Sequence, residues 1–244
     1  MFLCMNKVKE DIMTIIFAPT KLFNPEAKTT ENKTMFDTVT TSIVKEIQTI
    51  NKADYKTHFK LSDNLVDTVF DYYHNFELNN RFTAFDYYLG ESFKAFNYNE
   101  LDDKKRTYLN DNVYIIDALY GVIKPLDGIK PYRMDFTLKQ SKSVWKDLIN
   151  DYFLSKGTKQ ILSLASKEFS ALIDKTKFDL YEVSFINCKE DVCKKISVFN
   201  KQMRGTLLRY IVDHEINDVS GLPKIFLGYH LTVVDKEINY IKSV

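Results

Sequence analysis

The apolar positions of this chain change period several times, and each change marks an element. Met13 to Ala18 (Met-Thr-Ile-Ile-Phe-Ala) is a continuous apolar run closed by Pro19, the pattern of a buried strand. Over Thr34–Thr49, Phe36, Val39, Ile43 and Ile47 recur at helical spacing. Leu65, Val69, Tyr72, Tyr73 and Phe76 do the same over Leu61–Phe76, where Ser62 or Asp63 can cap. Phe82 to Phe96 is rich in aromatics and reads as a helix that packs them into the core, with stacked bases as the other explanation. Asn99–Leu109 reads as a polar surface helix and Val113–Ile116 as a second short buried strand.

Further strands are expected at Tyr132–Phe136, Gln160–Leu164 and Asp179–Ile186, with a helix over about Val144–Leu154. A long helix spans roughly Val192–Asp213, and Tyr229–Val234 with Glu237–Ile241 reads as a hairpin about Asp235-Lys236. Strands interspersed with helices predict a mixed α/β (α+β) fold, a mixed β-sheet flanked by helices. With only seven Gly and five Pro there is little from which to build a linker, so one domain over 13–244 is expected. Met13 can serve as an internal start, which makes residues 1–12 an N-terminal extension.

Composition adds exclusions. With 45% hydrophobic and 27% charged residues the chain is ordinary globular protein. Its formal charge of +1 excludes a uniformly basic nucleic-acid coat, so any anion site must be local. No apolar run reaches the roughly 18–20 residues of a membrane span. At the start, the apolar patch precedes Lys7 and Lys9, the reverse of a signal peptide, so the cytoplasm is the expected location and no membrane partner is expected. Cys4, Cys188 and Cys193 are too few for a disulfide framework and read as reduced thiols. No Gly-x-Ser-x-Gly elbow, Walker loop or Gly-x-Gly-x-x-Gly is present, and His58, His74, His214 and His230 lack metal-ligand spacing. Neither a cofactor nor a metal is expected.

Candidate chemistry concentrates in a few segments. Lys194 to Arg209 carries Lys194, Lys195, Lys201, Arg204 and Arg209 without one acid. On a helical wheel these share one half, opposite a stripe of Ile196, Phe199, Met203, Leu207 and Tyr210. Gly205 falls in the cationic half, where a mid-helix glycine costs about 1 kcal/mol against alanine; removing the side chain lets a backbone or a phosphate come close. Leu119–Lys139 holds two Lys-Pro steps and two glycines, and displays Lys124, Asp127, Arg133 and Lys139. Gly121 or Gly128 can instead sit in a hairpin between short helices. Lys21 follows the first strand, where α/β sheets make ligand contacts. Ser166 and Glu168 follow another strand, and Ser166 reads chiefly as a helix cap.

Taken in order, these segments resemble the YaaA family, also known as DUF328 or UPF0246. Leu119-Tyr120-Gly121, Lys124-Pro125-Leu126-Asp127 and Pro131-Tyr132-Arg133 are similar to its Leu-Tyr-Gly, Arg-Pro-Leu-Asp and Pro-Tyr-Arg. Ala18-Pro19-Thr20-Lys21 resembles its Ser-Pro-Ala-Lys, and Leu164-Ala165-Ser166-Lys167-Glu168-Phe169 its Leu-Ala-Ser-x-Glu-Tyr. Lys201, Arg204-Gly205, Arg209 and Gly228-Tyr229 match further family positions. Lys124 replaces the family's Arg, and Asp135-Phe136 its Glu-Met.

The resemblance implies a cytosolic protein that protects cells from hydrogen peroxide. It also implies DNA binding through a positively charged cleft, and a helix-hairpin-helix-like element. Duplex or branched DNA is then the expected partner, gripped at phosphates by Lys21, Lys124, Arg133, Lys139, Ser166, Lys201, Arg204, Gly205 and Arg209. The alternative is an enzyme on a nucleotide or nucleobase, with Lys21, Asp127 or Glu168 as acid–base groups. A small enclosed pocket would favour the enzyme and an open basic groove the DNA grip. An adaptor whose basic face meets an acidic protein is a third reading, and no stable protein partner is expected.

Overall fold

Ile15, Ile16 and Phe17 are almost wholly buried, because the strand they form is covered on both faces. A computed structural model describes residues 13–137, 139–190 and 192–243, without the side chains of residues 139–141; the extension read for residues 1–12 lies outside the described residues. In chain order the elements begin with β1 (Thr14–Phe17), α1 (Asp37–Gln48), α2 (Tyr55–His58), α3 (Asp63–His74), β2 (Phe82–Thr83) and α4 (Ala84–Tyr87). Next come α5 (Glu91–Phe96), α6 (Asp103–Asn112), β3 (Val113–Asp117), β4 (Gly121–Ile123), β5 (Gly128–Ile129) and α7 (Lys139–Ser155). The chain continues through β6 (Gln160–Ser163), α8 (Lys167–Ser170), β7 (Asp179–Lys189), β8 (Val192–Lys194) and α9 (Ser197–Asp213). It closes with β9 (Ile225–Phe226), β10 (Tyr229–Val234) and β11 (Glu237–Ser243).

One mixed sheet runs in the order β4-β3-β1-β6-β7-β11-β10-β9, with β8 added beside β7. Its centre is parallel, from β3 through β1, β6 and β7 to β11, while β4, β8, β9 and β10 pair antiparallel. Strand alternation sorts the side chains between two cores. Ile15, Phe17, Val113 and Ile115 face a cluster that includes Phe93, Met203, Leu207 and Leu208. Ile16, Tyr114 and Ile116 face the other, built on Trp145, Ile149 and Phe153 of α7. Burial on both faces explains why β1 and β3 read as unbroken apolar runs.

The mixed α/β architecture, the first strand, both amphipathic helices, β6, β7, α7 and the hairpin about Asp235-Lys236 match the sequence pattern. Four local readings change. The aromatic segment is not one helix: Gly90 breaks it between α4 and α5, where a Cβ would lie 2.4 Å from Thr20 Oγ1. Its aromatics are core, with Phe85, Tyr88, Phe93 and Phe96 buried. Tyr132–Phe136 is an irregular segment, while Gly121 and Gly128 open the short strands β4 and β5 and no helix pair flanks them. The last helix starts at Ser197, because Val192–Lys194 pairs with β7 instead. Lys194 and Lys195 therefore do not share its face.

The reduced-thiol reading is also corrected. Cys188 and Cys193 are direct cross-strand partners in the β7–β8 hairpin and are joined as a disulfide. A count of three excludes a framework but not one local pair.

Gly205 is buried, and its place explains the cost of keeping a glycine there. A Cβ would sit 2.0 Å from the carbonyl oxygen of Ser92, so α5 lies directly on α9 at this point. The close approach inferred from sequence is helix against backbone. In an exposed helix Gly→Ala would stabilise by about 1 kcal/mol. Here Gly205→Ala is expected to destabilise by about 2 kcal/mol or more through overpacking against backbone that cannot swing away. Urea melts of the two proteins read the sign directly; an alanine variant more stable than wild type would refute the packing role.

Candidate functional site

β1 lies between β3 and β6, so the chain leaves β1 toward one neighbour and later returns on the other side. Connections that diverge in this way leave a crevice at the carboxyl ends of the strands. A cleft of about 480 Å³ opens there, within the usual range of about 300–1,000 Å³ for small-molecule sites. Residues 18–22 after β1, Ala118 after β3, and Leu164, Ser166, Glu168 and Phe169 after β6 line it. Gly90–Phe93, the 132–135 segment with Thr137, and Lys201 and Arg204 of α9 complete the wall.

Four cations reach this surface: Lys21, Arg133, Lys201 and Arg204. Three acids accompany them: Glu91, Asp135 and Glu168. Lys21 donates to Asp135 Oδ2 at 2.6 Å, and Thr137 donates to Asp135 Oδ1 from its backbone N–H at 2.9 Å and from its hydroxyl at 2.5 Å. Burial would raise the Asp135 carboxyl, but these hydrogen bonds outweigh it and hold the group down at about 2. Arg204 donates from Nε and Nη2 to the Val183 carbonyl at 3.3 and 2.9 Å. Burial pulls its guanidinium below its ordinary value, with Glu182 opposing, yet a guanidinium stays charged in proteins. Glu91 accepts from Gln202 at 2.7 Å. Among the described residues, Arg133 and Lys201 have no carboxylate within ion-pair distance. Those two charges are available to an anion, while Phe93, Tyr132, Met134, Leu164 and Phe169 supply an apolar side.

The wall is fixed by a buried carboxylate. Asp117, at the end of β3, accepts from the amides of Leu119 and Tyr120 at 2.8 and 2.9 Å and from the Tyr132 hydroxyl. Tyr132 in turn shares a 2.9 Å hydrogen bond with Tyr88. Burial raises the Asp117 carboxyl above its ordinary value, against these donors. Thr40 donates to Leu119 O at 3.1 Å and Trp145 to Ala118 O at 2.8 Å, so the turn after β3 is tied from several directions. The segment starting at Tyr132 is thereby anchored at the residue before Arg133.

Lys21, Arg133, Ser166, Glu168, Lys201 and Arg204, distant in sequence, thus come together in one cleft. Ser166 stands at the N-cap position of α8, but its side chain makes no cap hydrogen bond; its carbonyl serves the Phe169 and Ser170 amides at 2.9 and 3.2 Å. The other candidates lie elsewhere. Gly205 packs on Ser92. Arg209 is held by Asp213 at 2.9 Å, Glu100 at 3.6 Å and the carbonyls of Phe96 and Asn97, so it ties α9 to the end of α5. Asp127 caps its own turn, accepting from the Lys124 amide at 2.8 Å, and neither Lys124 nor Asp127 lines the cleft. The side chain of Lys139 lies outside the described residues. Thr20, Glu91, Ser92 and Asp135 are cleft residues that pattern reading missed. Of these, Asp135 carried a signal, as an acid two residues beyond Arg133.

Fold and site together define a class: a single α/β domain with a cation-bearing crevice at the switch point of its sheet. The chain belongs to the family described as peroxide stress protein YaaA, whose model matches residues 13–233. It is 30% identical to a UPF0246 protein of Fusobacterium nucleatum, over 94% of this chain and 98% of that protein. UPF0246 proteins of Francisella philomiragia and Rickettsia felis are each 28% identical, over 87% and 95% of this chain and 91% and 100% of their own lengths.

Asp127 yields a prediction about pH. Burial pushes its carboxyl up to about 6, more than the Lys124 amide and ammonium hold it down. A folded-state value above the unfolded value of about 3.9 means that the folded state binds the proton more tightly. Its contribution is therefore full below about pH 4 and is lost as pH rises through about 6. Asp127→Asn keeps an acceptor for the Lys124 amide without the charge. The variant is expected to gain about 1–3 kcal/mol over wild type between pH 4 and pH 7. Urea midpoints at the two pH values measure this, and parallel profiles would show that burial does not hold the carboxyl up.

Proposed function

We propose that this protein serves the response to peroxide stress by holding a phosphate-bearing ligand of nucleotide size in the cleft at the ends of β1, β3 and β6. One observation carries the reading: Lys21, Arg133, Lys201 and Arg204, from widely separated segments, share one concavity of about 480 Å³. Arg133 and Lys201 supply the charge that meets the phosphate, since no carboxylate claims them among the described residues. The apolar side formed by Phe93, Met134, Leu164 and Phe169 suits a flat ring. If a reaction follows binding, Glu168 and Lys21 are the acid–base candidates that line the wall, while Asp127 does not line it. The proposed place of work is the cytoplasm.

A grip on duplex or branched DNA is the second reading, and exposed Lys201 at the cleft favours it. The dispersal of Lys124 and Arg209 away from the cleft weighs against a long phosphate track. Calorimetry with a nucleoside monophosphate and with a duplex, each across a salt series, separates the two readings. The expected result is saturable nucleotide binding that falls about tenfold or more in Arg133→Gln and in Lys201→Gln. Duplex binding with a steep salt slope and no nucleotide binding would transfer the conclusion to DNA. Binding of neither at low salt would overturn both.

A further inference from the structure

The β7–β8 hairpin carries a pair of cysteines that the cleft does not use. Cys188 and Cys193 face each other across the ladder, with Asn187 opposite Lys194 and Lys189 opposite Val192. On its other side Cys188 is in register with Ser243 of β11. Little holds the outer strand down: Val192, Cys193, Lys194, Lys195 and Ile196 are all exposed, and β8 has three residues. A crosslink between residues five apart also closes a very short loop, so it restricts the unfolded chain less than a long-range bridge would. The pair is therefore poorly placed to be a staple and well placed to react.

The pair lies on an open surface, where a thiol released by reduction meets solvent and oxidant: Cys193 is exposed and Cys188 half-buried. Alternation puts Ser184, Ile186 and Cys188 on one face of β7. Lys195, two residues beyond Cys193, donates to Ser184 Oγ at 3.0 Å, so its ammonium is held four residues back along β7, about 13 Å from the pair. Lys189 and Lys194 flank it in sequence. A thiolate next to cations is the nucleophilic form of cysteine. A standing disulfide in the proposed cytoplasmic setting would also be transient and redox-active rather than architectural.

We propose that Cys193 and Cys188 form a redox-active dithiol whose substrate is a hydroperoxide, with the disulfide as its oxidised state. In the reduced protein the more exposed Cys193 thiolate attacks one peroxide oxygen. The O–O bond breaks, and the other oxygen leaves with a proton as water or an alcohol. Cys193 is then a sulfenic acid. The Cys188 thiolate attacks that sulfur, the S–S bond forms, and hydroxide leaves as water. Two thiols and one hydroperoxide thus become one disulfide, one alcohol or water, and one further water; the sulfurs lose two electrons and the peroxide gains them. A dithiol reductant returns the pair to thiols by exchange. The helix that follows stays in place throughout, because Asn200 bonds both the amide and the carbonyl of Phe185, at 2.9 and 2.8 Å. The proposal is independent of the ligand assigned to the cleft, as its readout is thiol chemistry.

The test uses full-length protein in a Cys4→Ser background, reduced with dithiothreitol, freed of reductant and exposed to hydrogen peroxide. Intact mass follows the loss of two hydrogens, and Cys188→Ser is treated with dimedone to trap the sulfenic acid. The expected result is disulfide formation at least about tenfold faster than oxidation of free cysteine at the same pH, reversible by dithiothreitol, with a dimedone adduct on Cys193. Two results would overturn the proposal: oxidation no faster than that of free cysteine, or a disulfide that dithiothreitol reduces only after unfolding. Should Cys188→Ser fail to fold, the rate comparison on the Cys4→Ser protein still decides.

Discussion

The carboxylate of Asp117 is the contact on which the cleft depends. A buried acid is costly unless every lone pair finds a donor, and here two backbone amides and the Tyr132 hydroxyl supply them. The same bonds fix two walls at once. The amides belong to the turn that carries the chain from β3 into β4, and Tyr132 begins the irregular segment bearing Arg133 and Asp135. A strand at Tyr132–Phe136 would alternate its side chains and send Arg133 and Met134 to opposite faces. The irregular path lets Tyr132, Arg133, Met134 and Asp135 all border one cavity. Tyr88 extends the network to two residues before Gly90, so the α4–α5 corner is tied by the same hydrogen bonds.

Close packing sets the opposite wall. α9 lies on α5 at the Gly205–Ser92 contact, and α9 is also tied to β7 through Asn200 and through Arg204 on Val183 O. Lys201 and Arg204 are one turn apart and therefore share a helix face, but the two have different roles. Arg204 spends its donors on a carbonyl at the cleft margin, whereas Lys201 is exposed and reaches no carboxylate among the described residues. Lys21 is likewise engaged, because Asp135 takes its charge. The field inside the cleft is thus weaker than four cations suggest, and it is concentrated near Arg133 and Lys201.

The architecture was legible where burial imposed a period. β1, β3 and β6 read as apolar runs because both faces are covered, and α1, α3 and α7 read as helices because one face is. The errors fall where a tertiary contact overrode local pattern. Val192–Lys194 has helical company in sequence, yet the ladder to β7 draws it into the sheet. Phe82–Phe96 has the composition of a single helix, yet Tyr88 is extended where it bridges to Phe23 and Leu89 donates to Leu22 O, so pairing with the segment after β1 breaks it. The cleft was half visible. Its cations were recognisable as residues displayed after strands and on a helix, but the acids facing them were not, since partnership between Lys21 and Asp135 spans 114 positions. Gly205 was rightly read as a point of close approach, although sequence could not tell a phosphate from a peptide carbonyl. Asp135 closes on Lys21 despite its short arm, so the ion pair forms across the cleft mouth.

β7 connects the two chemical features of the molecule and also separates them. Its middle residues hold the cleft side: Val183 accepts Arg204, and Phe185 is clamped by Asn200. Its end carries Cys188, in a ladder of three residue pairs with β8. Between the cysteines and the cleft stands Asn200, whose paired hydrogen bonds to Phe185 resist both sliding and peeling of the helix. Lys195 crosses this point by bonding Ser184 from the hairpin side, and Tyr229 does so by bonding Asn187 while packing on Phe199 of α9. Loss of the hairpin would release Lys195 from Ser184. The proposed thiol chemistry thus sits at an exposed edge, while the Asn200 clamp holds α9 and the cleft residues it carries; the packing of Tyr229 between Asn187 and Phe199 is the contact through which a change at the edge would reach the helix.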